Sequence, residues 1–217
     1  MKVLAEISAQ SVAGLRAGAV RGRDFEAFDS LLERLPGAAS ILVTGDPDGK
    51  RAAAVGLAAT ATAAGRRTAL LECDLAAPAL AGSLRLAAEP GLHEYLRREA
   101  DVSGILQPVI LAGPRSAGTA EPLVCIVAGR PSSNGENHLA SEGFRHATEK
   151  LRAAYNTVVF DGPSLEGDMG LLHDAAARAD VTLACIRRAE ARGRASRRLQ
   201  RELSALPCPF AGAVAVR

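Results

Sequence analysis

The sequence has few of the residues on which several kinds of binding site depend. It has no tryptophan and only two tyrosines, Tyr95 and Tyr155, so it offers no aromatic series on which nucleic acid bases could stack. Its four histidines show no metal-ligand spacing, and its four cysteines include no C-x-x-C pair. Buried free thiols in a reducing compartment are therefore expected for Cys73, Cys125, Cys185 and Cys208.

Long apolar runs are also absent. No stretch approaches the roughly 20 apolar residues that a membrane span requires. Glu6 interrupts the apolar start of the chain, which excludes a signal-peptide core at this point. The formal net charge of +2 does not by itself demand nucleic acid as a partner. We expect a cytoplasmic, soluble protein that does not insert into the membrane.

The residues that are abundant indicate a fold class. The chain has 217 residues, of which 48% are hydrophobic, and most of these are Ala, Leu and Val. This length allows one domain with a sizeable core. Apolar strands separated by Ala-rich helices are typical of a parallel sheet covered by helices on both faces.

The pattern along the chain predicts alternating strands and helices. Residues 1 to about 35 are predicted to be helical, with Phe25, Phe28, Leu32 and Leu35 on one stripe that ends at Pro36-Gly37. Predicted strands cover 40–44, 68–71, 123–128, 157–160, 181–186 and 211–216. Predicted helices cover 50–64, 79–86, 91–98, 141–155, 168–179 and 190–206, and loops cover 113–122 and 129–135.

Lysine is scarce, because only three of the 26 basic residues are lysines: Lys2, Lys50 and Lys150. Lys50 follows an apolar run and a turn-rich loop, and it opens an Ala-rich helix. A lysine retained at such a position suggests a site that requires a compact ammonium group, such as a phosphate-binding loop. A helix N-terminus also offers free N–H groups and a favourable dipole to an anion.

Two further segments place carboxylates after strands. Asp74 follows the strand 68–71, and Asp161 lies at the tip of the strand 157–160. Ligands of open α/β sheets bind at the carboxyl ends of strands, and carboxylates there suit Mg²⁺ through water. Each feature alone is common, but their order and spacing together are more specific.

That combination resembles the bacterial tyrosine kinases (BY-kinases) of capsule and exopolysaccharide systems, within the ParA/MinD-like P-loop ATPases. The motifs that carry the resemblance occur in the family's order. They are Glu26-Ala27-Phe28 in the N-terminal helix, Gly49-Lys50 at the end of Walker A, 70–74 with Pro78, the segments 91–96 and 105–108, 128–131 with Asn134, Leu139 and Ser141, and the Walker B-like Asp161-Gly162-Pro163.

The resemblance implies a three-layer P-loop NTPase domain over 37–217, preceded by an N-terminal helical segment over 1–36. It also implies ATP or ADP as ligand. The residues implied to act in catalysis are Lys50, Asp74 and Asp161, with the two aspartates also as Mg²⁺ ligands. The residues implied to contact nucleotide are Gly45, Asp48, Gly49, Lys50 and Arg51.

Several positions depart from the family pattern. Arg51 replaces the Ser or Thr that binds Mg²⁺, which makes Mg²⁺ doubtful, and Pro47 replaces a loop glycine and removes one N–H donor. Glu72 replaces an aspartate of the second motif. The ring-assembly motif E-x-x-R-x-x-R reads Glu26-x-x-Asp29-x-x-Leu32, and the chain has no C-terminal tyrosine cluster. We expect Arg51 to pair with Asp74 or Asp161 if the altered loop fills the site with protein.

These departures favour a degenerate relative with weak or no ATP turnover. It would act as a regulatory or scaffolding partner of a membrane-embedded polysaccharide chain-length regulator or of a kinase paralogue. That partner would recruit it to the inner face of the membrane, and self-association is also open.

One alternative is an active ATPase or protein-tyrosine kinase that uses Lys50, Asp74 and Asp161. Another is a ParA-like, DNA-associated positioning protein, because the segment 187–201 is rich in arginine. Nucleic acid is the less favoured partner, since Glu190, Glu202 and the low net charge favour a solvated helix face as the explanation of those arginines.

Overall fold

The computed structural model describes residues 1–16, 19–20, 22–35, 37–111, 121–131 and 138–217. The predicted helix stop at Pro36, most of the two predicted loops and Asn134 of the family motif lie outside these residues.

The described residues form one mostly parallel sheet with the strand order β1-β8-β7-β2-β6-β3-β5-β4. Only β4 runs antiparallel to its neighbour, β5. The strands are β1 (Val3–Ile7), β2 (Ser40–Gly45), β3 (Thr68–Glu72), β4 (Gln107–Val109), β5 (Leu123–Ile126), β6 (Thr157–Ser164), β7 (Val181–Arg187) and β8 (Phe210–Val216).

Helices cover both faces of this sheet. They are α1 (Ala9–Arg16), α2 (Gly22–Glu33), α3 (Pro47–Ala63), α4 (Leu80–Leu84), α5 (Leu92–Leu96), α6 (Val102–Ile105), α7 (Glu142–Ala154), α8 (Met169–Ala176) and α9 (Gly193–Ser204). One apolar core joins α1, α2 and α3 to one face of the sheet, and a second core joins α7, α8 and α9 to the other. The three-layer α/β fold predicted from the sequence is therefore confirmed.

The central elements β2 and α3 are buried along nearly their whole length. All six residues of β2 are buried, because β2 pairs with β6 on one side and β7 on the other and is covered on both faces. Residues 49–61 of α3 are buried as well. Small side chains permit this close packing: a Cβ added to Gly56 would lie 2.1 Å from Cε2 of Phe28 in α2.

The N-terminal segment differs from its prediction. Residues 3–7 were predicted to be helical, but they form β1, which pairs in parallel with β8. The sequence V-L-A-E-I alternates only weakly, so it is the partner strand that selects the extended conformation. The amphipathic helix in this segment is confirmed as α2, with Phe25, Phe28 and Leu32 buried. The division at residues 36 and 37 stays a prediction.

Helix α3 also begins earlier than predicted, at Pro47 rather than at Lys50. Ser141 caps α7 as expected, because its hydroxyl accepts a hydrogen bond from the N–H of Phe144 at 3.1 Å. The four cysteines are buried free thiols, as predicted. Within the described residues, no helix has the length and apolar character needed to span a membrane.

Candidate functional site

The connection from β2 to α3 holds the segment predicted to bind phosphate. Gly45 ends β2 with φ +130°, and a Cβ there would lie 2.0 Å from the carbonyl oxygen of Cys185 in β7. Only glycine fits this backbone conformation and this close approach. The N–H of Asp46 then donates to the same Cys185 carbonyl at 3.0 Å, so the chain is fixed to β7 immediately before the helix.

Asp46 caps helix α3 with its own carboxylate. Its Oδ1 accepts a hydrogen bond from the N–H of Gly49 at 2.9 Å, and its carbonyl accepts one from the N–H of Lys50 at 2.8 Å. Pro47 occupies the first helical position, where its fixed φ is favourable and its missing N–H costs nothing. The N–H of Gly49 is one of the free donors at the start of the helix, and the Asp46 carboxylate satisfies it in place of a ligand.

A backbone contact brings the two predicted aspartates together. Asp161 lies on β6, in register with Val43 of β2 and with Glu72 of β3. Its carbonyl oxygen accepts hydrogen bonds from the N–H groups of Cys73 at 2.8 Å and Asp74 at 3.1 Å. The chain that leaves β3 is thereby held against β6, and Asp74 lies beside Asp161.

Lys50 lies between these two carboxylates. Its Nζ is 2.9 Å from Oδ1 of Asp161 and 3.0 Å from Oδ2 of Asp74, and its side chain is completely buried. Burial of an ammonium group is costly unless it is paired and hydrogen-bonded, and both conditions are met here. The structure thus brings Lys50, Asp74 and Asp161 together, and their role as site residues stays a prediction.

Arg51 supplies a second buried cation. Its Nε lies 3.4 Å from Oδ2 of Asp161, and the Arg51 side chain is only 5% exposed. The two atoms form an ion pair but no hydrogen bond. Neither atom has another hydrogen-bond partner among the described residues. The expected pairing of Arg51 with one of the two aspartates is thus confirmed. Lys50, Arg51, Asp74 and Asp161 together form a charged cluster with no net charge.

Glu72 has a structural role that its position in the motif did not predict. Its Oε1 accepts hydrogen bonds from the N–H groups of Ala79 at 2.6 Å and Leu80 at 2.7 Å. Its Oε2 accepts one from Ala128 at 2.9 Å. Burial raises the pKa of Glu72. The three donors lower it and the nearby Asp161 raises it, and the net shift is upward. The longer side chain of Glu72 therefore connects β3 to the start of α4 and to the residues after β5.

The remaining predicted residues occupy the start of α3 in different ways. Asp48 is exposed in the first turn of the helix, whereas Gly49 is buried. A Cβ on Gly49 would lie 2.8 Å from Sγ of Cys185, so close packing against β7 requires this glycine. Asp46, like Glu72, has a role that sequence reasoning missed, although Asp followed by Pro at the first helical position is a recognised start signal.

The carboxylates of Asp74 and Asp161 are arranged to pair with two basic side chains rather than to bind a magnesium ion. Asp161 faces Lys50 and Arg51 with its two oxygens, and Asp74 faces Lys50. A dication would compete with both cationic groups, and Arg51 provides no oxygen ligand. The N–H groups of Gly49 and Lys50 and the Lys50 ammonium are engaged as well, so a phosphate would have to displace internal partners.

The described elements form a three-layer α/β fold, with the charged cluster beside its central strands β2, β6 and β3. Solved structures similar to this one are tyrosine kinase domains, in agreement with the resemblance noted in the sequence. The kinase domain of Escherichia coli tyrosine kinase ETK has a TM-score of 0.77 and 18% identity, over 100% of this chain and 91% of that one. The VpsO kinase domain has a TM-score of 0.76 and 20% identity, over 96% of each chain.

The chimerical protein CapA2B2 is also similar, with a TM-score of 0.81 and 18% identity over 100% of this chain and 94% of that one. More distant structures with this fold include a plasmid partition protein from Borrelia burgdorferi and the septum site-determining protein MinD from Pyrococcus horikoshii, with TM-scores of 0.54 and 0.50. No family model and no curated protein sequence matches the chain. At these identities the likeness concerns the fold.

Proposed function

We propose that this protein is a degenerate BY-kinase-like P-loop protein that acts in exopolysaccharide or capsule biosynthesis without effective ATP turnover. Its domain would work as a regulatory or scaffolding partner in the cytoplasm. The partner would be a membrane-embedded chain-length regulator or a kinase paralogue, which would hold the domain at the inner face of the membrane.

The observation that carries this proposal is the charged cluster. Lys50 pairs with Asp161 at 2.9 Å and with Asp74 at 3.0 Å, and Arg51 neutralises the other oxygen of Asp161. Phosphoryl transfer depends on positioned cations and donors that face the phosphates. In this protein those groups face internal carboxylates instead, so nucleotide binding would require the loss of buried ion pairs.

The start of α3 supports the same conclusion. The Asp46 carboxylate places a negative charge at the helix N-terminus, where the family would place a phosphate. It satisfies the N–H of Gly49 and repels a second anion at short range. The formal charges of the site are therefore balanced without a nucleotide, and the N–H of Gly49 already has an acceptor.

An active ATPase or tyrosine kinase is the second candidate, and one observation favours it. Lys50, Asp74 and Asp161 converge at the carboxyl ends of three neighbouring strands, where this fold binds ligands. If nucleotide displaced the ion pairs, Lys50 would contact the outer phosphates, while the two aspartates would be released to accept protons or bind a metal.

Calorimetric titration with ATP and ADP, in Mg²⁺ and in EDTA, separates the two candidates. We expect no binding to the natural protein at millimolar nucleotide. The double variant Pro47→Gly/Arg51→Thr should gain Mg²⁺-dependent binding, because it restores a flexible loop position and a hydroxyl ligand. The single variants serve as matched controls for the two changes.

Micromolar, Mg²⁺-dependent binding by the natural protein would contradict the proposal and support the enzyme. A genetic arm tests the scaffolding role directly. In the producing organism, a copy carrying Asp74→Asn should restore polymer production to a deletion strain, because this variant removes the Asp74 carboxylate but retains the Lys50–Asp161 pair. Failure of a folded, normally abundant variant would show that the carboxylate chemistry is required.

A further inference from the structure

One apolar cavity collects both tyrosines of the chain and one of its three lysines. The cavity has a volume of about 160 Å³ and lies between α5, α6 and α7 and the strands β3 and β5. Its floor consists of buried apolar side chains, and Tyr95, Tyr155 and Lys150 are the polar residues at its rim. The floor residues are Leu71, Leu92, Ile105, Ile126 and Leu151. The cavity shares no residue with the charged cluster.

The sequence of α7 creates this space. Ala147 and Ala154 both line the cavity, one on each side of Leu151. The two alanines are seven residues apart and therefore lie on the same face of the helix, two turns apart. Larger side chains at these positions would fill the space, as Phe144 does elsewhere on the inner face of the helix. Empty apolar space is unfavourable, and cavities of this size can accept single-ring molecules.

The rim adds polar groups, among them the ammonium of Lys150. Lys150 forms no ion pair or hydrogen bond with any residue that the structure describes. The guanidinium of Arg67 lies 5.9 Å from the ring centroid of Tyr155, and its Nε pairs with Oε2 of Glu121 at 3.5 Å, so Lys150 is the cation that the proposal uses. Burial raises the pKa of Tyr155, so its hydroxyl stays a protonated donor at neutral pH. An anionic head group that accepts hydrogen bonds complements such a rim.

We propose that this cavity binds a small carboxylate with an apolar body, either a single aromatic ring or a short aliphatic chain. The apolar body would lie on the floor, and the carboxylate would contact Lys150. This proposal is independent of the function proposed for the charged cluster. It also accounts for the retention of lysine at position 150 in a chain that carries most of its positive charge on arginine.

Benzoate and toluene are suitable probes, because they share a ring and differ in charge. Binding is followed by chemical-shift changes of the backbone amides on titration of the full chain. We expect both probes to shift amides of α5, α6 and α7. Lys150→Met keeps the apolar stem and should weaken benzoate binding by about fivefold, as expected for an exposed charge contact, with toluene unaffected.

Filling the cavity is the decisive arm. Ala147→Leu should abolish binding of both probes, and Ala154→Leu provides a second test at an exposed position, where misfolding is not expected. Ala153→Leu is the matched control, because Ala153 is exposed on the same helix and does not line the cavity. Binding that survives both filling variants, or no binding by the natural protein, would overturn the proposal. Equal benzoate affinity in Lys150→Met would overturn the assignment of a carboxylate.

Discussion

The Nζ atom of Lys50 lies 2.9 Å from Oδ1 of Asp161, and both side chains are completely buried. A lysine that serves only to bind phosphate contributes little to stability when its ligand is absent. In this protein the same lysine neutralises two carboxylates inside the core, so its removal would leave buried charge without a partner.

We therefore predict that Lys50→Met destabilises the fold by about 3–5 kcal/mol, the usual cost of breaking a buried ion pair from one side. Urea unfolding measures this change. Lys2→Met is the matched control, because Lys2 is exposed. The double variant Lys50→Met/Asp161→Asn should lose less than the sum of the single variants, with a coupling of roughly 0.5–3 kcal/mol. Strict additivity would show that the pair contributes nothing.

The cap at the start of α3 gives a second prediction. Asp46→Ala should cost about 1 kcal/mol, because the N–H of Gly49 loses its acceptor. Asp46→Ser should retain most of the stability, since a hydroxyl can accept the same hydrogen bond. Asp101→Ala is the control: Asp101 precedes α6 but accepts no capping hydrogen bond, so its loss should have a small effect. Equal losses in the Asp46 and Asp101 variants would exclude a capping role.

Gly45 is predicted to tolerate no side chain. Gly45→Ala should cost about 3 kcal/mol or more, because the residue has φ +130° and its Cβ would collide with the Cys185 carbonyl. Gly82→Ala should be neutral or slightly stabilising, because that glycine lies in α4 with open space around it. Thermal unfolding of both variants provides the comparison, and a similar melting temperature for the two would contradict the geometry.

Asp180 gives a prediction about pH. Burial would raise the pKa of Asp180, but hydrogen bonds from Ser40 and Ala39 and the nearby Arg152 outweigh it, so the pKa is lowered. Its Oδ2 accepts both N–H groups at 2.9 Å. The stabilisation is present above the ordinary Asp pKa of about 3.9. It is lost as the pH falls through the lowered pKa of the folded state.

Urea unfolding across this acidic range should therefore show a steeper loss of stability for the natural protein than for Asp180→Asn. The Asn variant should be less stable near neutral pH and should lose less on acidification. Asp101→Asn is again the control, since its pH profile should follow that of the natural protein. Parallel profiles for the natural protein and Asp180→Asn would show that Asp180 does not carry the effect.

Much of the fold followed from local sequence patterns. Continuous apolar runs indicated β2 and β6, because a strand covered on both faces buries every residue. The stripe of Phe25, Phe28 and Leu32 indicated α2, because a helix buried on one face repeats its apolar residues every three to four positions. The strands β1 and β4 were missed. Each lies at an edge of the sheet, so pairing with β8 or β5 determines its conformation more than its own residues do.

The sequence by itself determined the layered α/β fold and the three residues that meet at its centre, Lys50, Asp74 and Asp161. It also indicated that Pro47 and Arg51 disturb a phosphate-binding loop, since both departures are chemical properties of single residues. Only the tertiary structure decided what replaces the ligand. Asp46 caps the helix, and Arg51 turns to Asp161, because a buried charge takes the nearest partner that the packed fold provides. That choice depends on distances between strands that are remote in the chain.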